Sequence, residues 1–232
     1  VRSKIVKTVT NFFDLNGFTN INSPKLTKIG VESGAELFEV DYFGRPMYLA
    51  QSPQVYKQMF VGGGFERVYE IGAVFRAEKS NTMRHLTEFT GVDFEMGFIK
   101  DFTDVMDLIE RMFIDLITHL KIEAAGELQL LGVTHEIPKN IPHLTMDEAK
   151  KLLLAKGKTY AVDDDLDAEG EKLIGEIVKE KYGSEFVFIT FFPWKVKPFY
   201  QMKAENNPQV TKSFDLLFNG VEICSGSQRE HR

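Results

Sequence analysis

Tyr69-Glu-Ile-Gly-Ala-Val-Phe-Arg-Ala-Glu78, the polar run Lys79–Arg84, and Phe89-Thr-Gly-Val-Asp-Phe-Glu-Met96 decide the fold. In the first segment Tyr69, Ile71, Ala73, Phe75 and Ala77 alternate with Glu70, Gly72, Val74, Arg76 and Glu78. A two-residue period belongs to a strand, here with one wholly apolar face. In the second, Phe89, Gly91, Asp93 and Glu95 share one face. Paired, the two strands put Arg76, Glu78, Phe89, Asp93 and Glu95 on one concave surface. Arginine offers a forked, permanently charged donor for phosphate. An aromatic ring can stack on a purine, and the acids can receive amines or metal-bound water. The same row also fits a solvated face carrying an Arg–Glu pair.

Upstream, Val1–Leu15 has Ile5, Val9, Phe12 and Phe13 at helical spacing, and Gly17 is placed to stop the helix. An extended stretch through Phe18 and Ile21 leads to Pro24. Short strands are predicted at Phe38–Val40 and Met47–Ala50 around Gly44. Ser52-Pro53 reads as a helix start, serine as cap and proline at the first helical position, with Gln54 and Lys57 on one face. Downstream, Asp101 is predicted to cap a long helix burying Val105, Ile109, Met112, Phe113 and Leu116. Residues from about 121 to 183 read as an acidic helical insertion. It holds a helix from Met146, with Thr145 and Glu148 as a capping box, and another over about Ala168–Tyr182. The sheet resumes over Phe186–Phe192, continues near Phe199, and ends in a hairpin turning at Asn219-Gly220. The fold class is therefore α+β, a mixed, mainly antiparallel sheet flanked by helices.

In that hairpin a two-residue loop pairs Leu217 with Glu222 and sets Asp215 opposite Cys224. Asp215 and Glu222 are then diagonal on one face, about 7–8 Å apart at Cβ. Such a pair can share a hard cation such as Mg²⁺; two exposed acids on an edge hairpin look the same.

Composition sets bounds. The 232 residues, 43% hydrophobic, fill one core with a modest insertion. Twenty Phe favour a sheet-based core, and a single cysteine, Cys224, leaves no internal disulfide and suits a reducing compartment. No run spans a bilayer and no Cys/His cluster has zinc spacing. A net charge of −6 argues against binding nucleic acid mainly by general electrostatics.

Phe75-Arg-Ala-Glu78, a polar loop, then Arg84-His85 and Phe89 resemble motif 2 of the class II aminoacyl-tRNA synthetases. Gly17-Phe18 through Pro24 resembles motif 1, which in that family builds the dimer interface. Tyr48-Leu-Ala-Gln-Ser-Pro-Gln-Val-Tyr-Lys57, Arg84-His-Leu-Thr-Glu-Phe89 and Ser225-Gly-Ser-Gln-Arg229 look like the aspartyl enzymes of archaeal and eukaryotic cytosolic type. The likeness runs over essentially the whole chain. It implies the class II synthetase fold and a cytoplasmic homodimer joined around Pro24. The implied activity is ATP-dependent activation of L-aspartate and its transfer to tRNA(Asp), with ATP and Mg²⁺ required.

Carried over position by position, the resemblance gives Arg76 the ATP α-phosphate and the substrate carboxylate. Glu78 and Phe89 take the adenine, and His85 lies near the phosphates. Asp215, Glu222 and Ser225 form the metal site, with Glu222 also at the ATP phosphates. Glu32 receives the substrate ammonium, with Ser52, Gln54, Asp93 and Ser225 nearby. Strict alternation puts Ser225 on the face opposite Glu222, so a bulge or the strand end must intervene. Lys57 and Arg229 would take the side-chain carboxylate and select aspartate over asparagine. Asparagine would leave a buried Lys57 unpaired, a penalty of about 3–5 kcal/mol if desolvation is complete. Neither motif 3 nor an anticodon-binding barrel lies within the chain, so the 232 residues alone are expected to be inactive. The alternatives are a core-only relative making asparagine from aspartate and ammonia, an asparaginyl-tRNA synthetase, and an inactive synthetase-like binding module.

Overall fold

Helix α1, Arg2–Leu15, forms where the apolar spacing places it, burying Thr8, Val9, Phe12 and Phe13. Gly17, at φ 76°, ends it in the left-handed region open to glycine. The computed structural model describes residues 1–28, 37–78 and 86–232. They divide into two compact units, Arg2–Phe98 and Ile99–Arg232.

After α1, the first unit continues through β1 (Thr19–Asn20), β2 (Leu26–Thr27), β3 (Glu39–Asp41), β4 (Pro46–Leu49), α2 (Gln54–Gly62), β5 (Arg67–Phe75) and β6 (Glu88–Met96). β1 runs parallel to β5, and β6 antiparallel to it, in the order β1-β5-β6. A second antiparallel sheet has the order β2-β4-β3. Phe13 stacks on Tyr69 at 4.7 Å between ring centroids and meets Phe18 and Phe94 at 5.0 and 5.4 Å. Those contacts cover only one end of the face predicted to be wholly apolar. Ile71, Ala73 and Phe75 stay half-buried and Val92 is exposed, whereas Glu70 on the polar face is buried. β5 also stops at Phe75 rather than Glu78. Arg76 N–H still donates to Thr87 O at 3.0 Å, but Glu78 N–H turns back to Arg76 O at 2.8 Å, which ends the ladder.

α2 begins one residue later than the Ser-Pro reading. Pro53 sits at the cap position, while the Ser52 hydroxyl accepts from Gln54 N–H at 3.2 Å. The serine thus satisfies an end donor from one position further out.

The second unit contains α3 (Thr103–Glu123), α4 (Ala125–Leu130), β7 (His143–Thr145), α5 (Met146–Ala155), α6 (Ala168–Tyr182), β8 (Phe186–Thr190), β9 (Lys203–Ala204), β10 (Asn207–Thr211), β11 (Ser213–Phe218) and β12 (Val221–Ser227). Its main sheet has the order β12-β11-β8-β7, antiparallel except where β7 runs parallel to β8; β9 and β10 pair separately. The α5 capping box forms as predicted, with Glu148 N–H donating to Thr145 Oγ1 at 3.2 Å and Thr145 N–H to Glu148 Oε2 at 2.8 Å. Within residues 121–183, expected as an insertion, β7 joins the sheet and α5 and α6 share one core with Val187, Ile189 and Leu217.

Three expectations here need correction. Asp101 lies one position outside the cap of α3, which is Phe102; its Oδ1 still accepts from Thr103 N–H at 3.4 Å, while its Oδ2 pairs with Lys212 at 2.9 Å. The buried stripe of α3 is Met106, Leu108, Ile109 and Met112, a rotated phase that leaves Val105, Phe113 and Leu116 half-buried. No strand forms at Phe199, which is 80% exposed beyond a short 3₁₀ turn at Trp194–Val196. β8 ends at Thr190 because Phe191 takes a positive φ of 57°.

Candidate functional site

In the first unit the β5–β6 register sets Val74 opposite Phe89 and Glu70 opposite Asp93, so the expected polar face exists. The Arg76 guanidinium lies over the Phe89 ring, 5.6 Å from its centroid. Its Nε is shielded from solvent and has no hydrogen-bond partner among the described residues. A buried donor without an acceptor is unfavourable by about 1–3 kcal/mol, a penalty that an anion would remove. An anionic phosphate or carboxylate fits that need.

α2 aims Gln54 and Lys57 at the same strand, as its periodicity requires. Gln54 Nε2 donates to Glu95 Oε2 at 2.9 Å. Lys57 is 3% exposed; its Nζ lies 2.5 Å from Asp93 Oδ1 and 3.6 Å from Glu95 Oε2, and donates to Phe94 O at 3.1 Å. This changes the selectivity argument drawn from sequence. Lys57 is buried but already matched by two carboxylates, so a ligand must share the ammonium rather than rescue a lone charge. Ser52 and Glu78 are half-buried. Glu32 and His85 lie outside the described residues, as does the loop Lys79–Arg84.

Sequence reasoning missed the support beneath this face. Glu70, 3% exposed, accepts from the Lys25 ammonium and from Ser23 N–H at 3.0 Å, and Lys25 Nζ also donates to Ser23 Oγ at 3.1 Å. The carboxylate thereby fixes the chain on both sides of Pro24. A glutamate at mid-strand among buried residues was the available signal, since a buried carboxylate demands a partner.

In the second unit, Asn219 and Gly220 both take positive φ, 48° and 73°, as the tight hairpin requires. Pairing starts in the expected register, Phe218 with Val221 and Leu217 with Glu222. It then slips: Leu216 pairs with Cys224 and Asp215 with Ser225, leaving Ile223 as the extra residue of a β-bulge. Asp215 is therefore opposite Ser225, not Cys224. The bulge moves Ser225 onto the face of Asp215 and Glu222, removing the conflict that strict alternation created.

Asp215 is largely buried, its side chain 14% exposed, while Glu222 and Ser225 are exposed. Burial pushes the Asp215 carboxyl up to about 7; the Lys197 ammonium, 3.1 Å away, opposes that rise and the charge of Glu222 adds to it. Two carboxylates and a hydroxyl on one face, with too little positive charge between them, fit a hard cation with oxygen ligands. No group of three or more His, Cys, Asp or Glu side chains that could hold a metal gathers among the described residues, so the protein would supply only part of the shell. Arg229 lies over the Tyr200 ring at 4.4 Å and bridges through its backbone to Gln201. Gly175 of α6 abuts the hairpin turn, where an added Cβ would fall 2.5 Å from Gly220 N.

The family described as class II tRNA synthetases (D, K and N) matches residues 1–232. The chain belongs to that family. This synthetase chain is 45% identical over 233 residues to the aspartate–tRNA(Asp) ligase of Pyrococcus abyssi, covering 100% of this chain and 53% of that protein. It is 46% identical over 233 residues to the aspartate–tRNA(Asp/Asn) ligase of Thermus thermophilus, covering 100% of this chain and 54% of that one. Among solved structures it is similar to the asparaginyl-tRNA synthetase of Pyrococcus horikoshii complexed with asparaginyl-adenylate. There the TM-score is 0.89 at 29% identity, with 98% of this chain and 52% of that chain covered. The class II synthetase chain thus spans about half the length of the curated relatives it matches. The α+β class and mainly antiparallel sheets agree with that neighbour. No helix among the described residues is long and apolar enough to cross a membrane.

Proposed function

We propose that this chain is the ATP- and aspartate-binding part of an aspartate–tRNA ligase. The carrying observation is Lys57, a buried cation on α2 reaching the polar face of β6 next to Gln54. Lys57 already faces Asp93 and Glu95, so a substrate carboxylate has to share its ammonium, and the name of the Pyrococcus abyssi relative supports that reading over an uncharged side chain.

On this reading Arg76, whose buried Nε has no partner among the described residues, holds the α-phosphate and the substrate α-carboxylate, with Phe89 and Glu78 taking the adenine. A carboxylate oxygen of aspartate attacks the α-phosphorus; the P–O bond to the β-phosphate breaks and pyrophosphate leaves. The Arg76 guanidinium offsets the charge that builds on the phosphoryl oxygens. Asp215, Glu222 and Ser225 hold Mg²⁺, which when bound neutralises phosphate charge. The family resemblance gives the substrate ammonium to Glu32, Ser52, Gln54 and Asp93, and assigns Ser225 to the aspartate as well. Lys57 and Arg229 receive the side-chain carboxylate, and His85 serves the phosphates. A ribose hydroxyl of tRNA(Asp) then takes the aspartyl group and AMP leaves. The protein acts in the cytoplasm as a homodimer, supported by the exposed Pro24 on a segment anchored by Glu70.

Amino-acid-dependent ATP–pyrophosphate exchange by the full gene product tests this. L-aspartate is expected to drive exchange at least about 10³-fold better than L-asparagine, since the site pairs charge with charge. Preference for asparagine would instead favour the activity named for the Pyrococcus horikoshii neighbour.

A further inference from the structure

Lys197 is the one cation that reaches Asp215 among the ion pairs of the described residues. Its side chain is 15% exposed, and its Nζ stands 3.1 Å from Asp215 Oδ2 and 3.8 Å from Asp165 Oδ2. The ammonium also lies over the Phe192 ring, 3.7 Å from the centroid, which favours a cation at that point.

The second acid is held in place independently. Lys150 Nζ donates to three carbonyl oxygens of its loop, Ala161 at 2.9 Å, Val162 at 2.8 Å and Asp164 at 2.6 Å. Lys195 pairs with Asp163 in the same loop. Asp165 therefore stands as a fixed alternative partner close to the ammonium.

A divalent cation needs the lone pairs of Asp215 at about 2.0–2.1 Å. An ammonium on the same carboxylate would then lie only about 4–5 Å from that ion, where like charges repel strongly in a partly buried site. Both cannot use Asp215 fully. From these positions we infer that Lys197 is a tethered counter-ion that occupies Asp215 in the metal-free protein and yields to the metal by transferring its contact to Asp165. It is a positioning residue, keeping the buried carboxylate charge-matched and in place before the metal arrives. The sequence gives no periodic signal for this role, since Lys197 lies beyond the last turn before Pro198.

This inference rests on the reading that Asp215 and Glu222 hold a divalent cation, and the test separates the two. Mn²⁺ alone, without ATP or aspartate, is titrated into the full gene product and followed by electron paramagnetic resonance of the free ion. Asp215→Asn is expected to abolish the site; if it leaves Mn²⁺ binding unchanged, the metal reading fails and this inference with it. Where binding does depend on Asp215, Lys197→Gln should tighten it about tenfold, because a competing charge is gone. Asp165→Asn should weaken it about threefold, because the displaced ammonium has nowhere to go. Lys197→Arg, which keeps the charge, should stay within about twofold of the parent. A merely structural lysine predicts weaker binding in Lys197→Gln, so unchanged or weaker binding overturns the inference. If Lys197→Gln does not fold, Asp165→Asn decides: weaker Mn²⁺ binding supports the transfer of contact, and unchanged or tighter binding refutes it.

Discussion

Replacing Lys57 by methionine keeps most of the unbranched stem of the side chain and removes its charge. What remains is Asp93 and Glu95 facing an apolar side chain, with Gln54 as the one other side-chain donor to Glu95 among the described residues. Breaking a fully buried pair costs about 3–5 kcal/mol. Here Asp93 is 31% and Glu95 19% exposed, so water recovers part of the loss and about 2–3 kcal/mol is expected. Native-state hydrogen exchange on the β5–β6 amides reads that locally, as a fall in protection of roughly 30- to 150-fold. Adding Asp93→Asn to Lys57→Met should return about 1–2 kcal/mol, because one of the two stranded charges is gone. Aspartate activation should fall by at least about 10²-fold while ATP affinity stays within about threefold. Two results would refute this reasoning. No recovery in the double variant means Lys57 acts through its stem and its bond to Phe94 O rather than its charge. Equal loss of ATP binding and aspartate activation means it supports the fold and selects nothing.

Asp215→Asn and Glu222→Gln should each raise the Mg²⁺ needed for half-maximal exchange by about tenfold, and identical Mg²⁺ curves would remove the assignment. Asp215 also gives a pH signature: its folded carboxyl titrates near 7, above its ordinary 3.8, so folding takes up a proton between these values. Stability should therefore fall as pH rises from about 4 to about 7, and thermal melts of Asp215→Asn should lose that component of the slope. Gly175→Ala gains about 1 kcal/mol in helix propensity. Its new Cβ meets the Gly220 backbone at 2.5 Å, however, so a net loss of about 1–3 kcal/mol is expected, seen as a lower melting temperature and faster exchange at Gly220.

How far the sequence could be read depended on whether each signal was local. Helix α1, the α5 capping box and the Asn219-Gly220 turn were legible because each is written in adjacent residues. The polar face of β5 and β6 was legible because side chains alternate, so the pairing register placed Phe89 and Asp93 beside Glu70 and Val74. The bulge at Ile223 was not, because the straight register pairs every residue of the hairpin without conflict in its apolar pattern; only the misplaced Ser225 hinted at it. The α3 stripe was misread because that helix is apolar on more than one side and its phase is set by tertiary contacts, among them Phe113 against Phe186 at 5.7 Å. Lys57 was assigned from the resemblance, yet its carboxylate partners are a tertiary fact. Glu70 with Lys25 and Lys197 with Asp165 join residues far apart in the chain and belong to no repeat.

The loop that carries Asp165 is organised by an ammonium sitting among three carbonyl oxygens, the kind of cage that in other loops holds a dissolved ion. Because this cation is attached to α5, it cannot be chelated, exchanged or diluted away. A chelator that strips a divalent cation from the site proposed at Asp215 and Glu222 is therefore expected to leave the loop ordered, and an excess of salt is not expected to substitute for the tethered ammonium. On the proposed reading, the carboxylate pair and its neighbouring loop answer to two different kinds of cation: one set by the solution, the other by the gene.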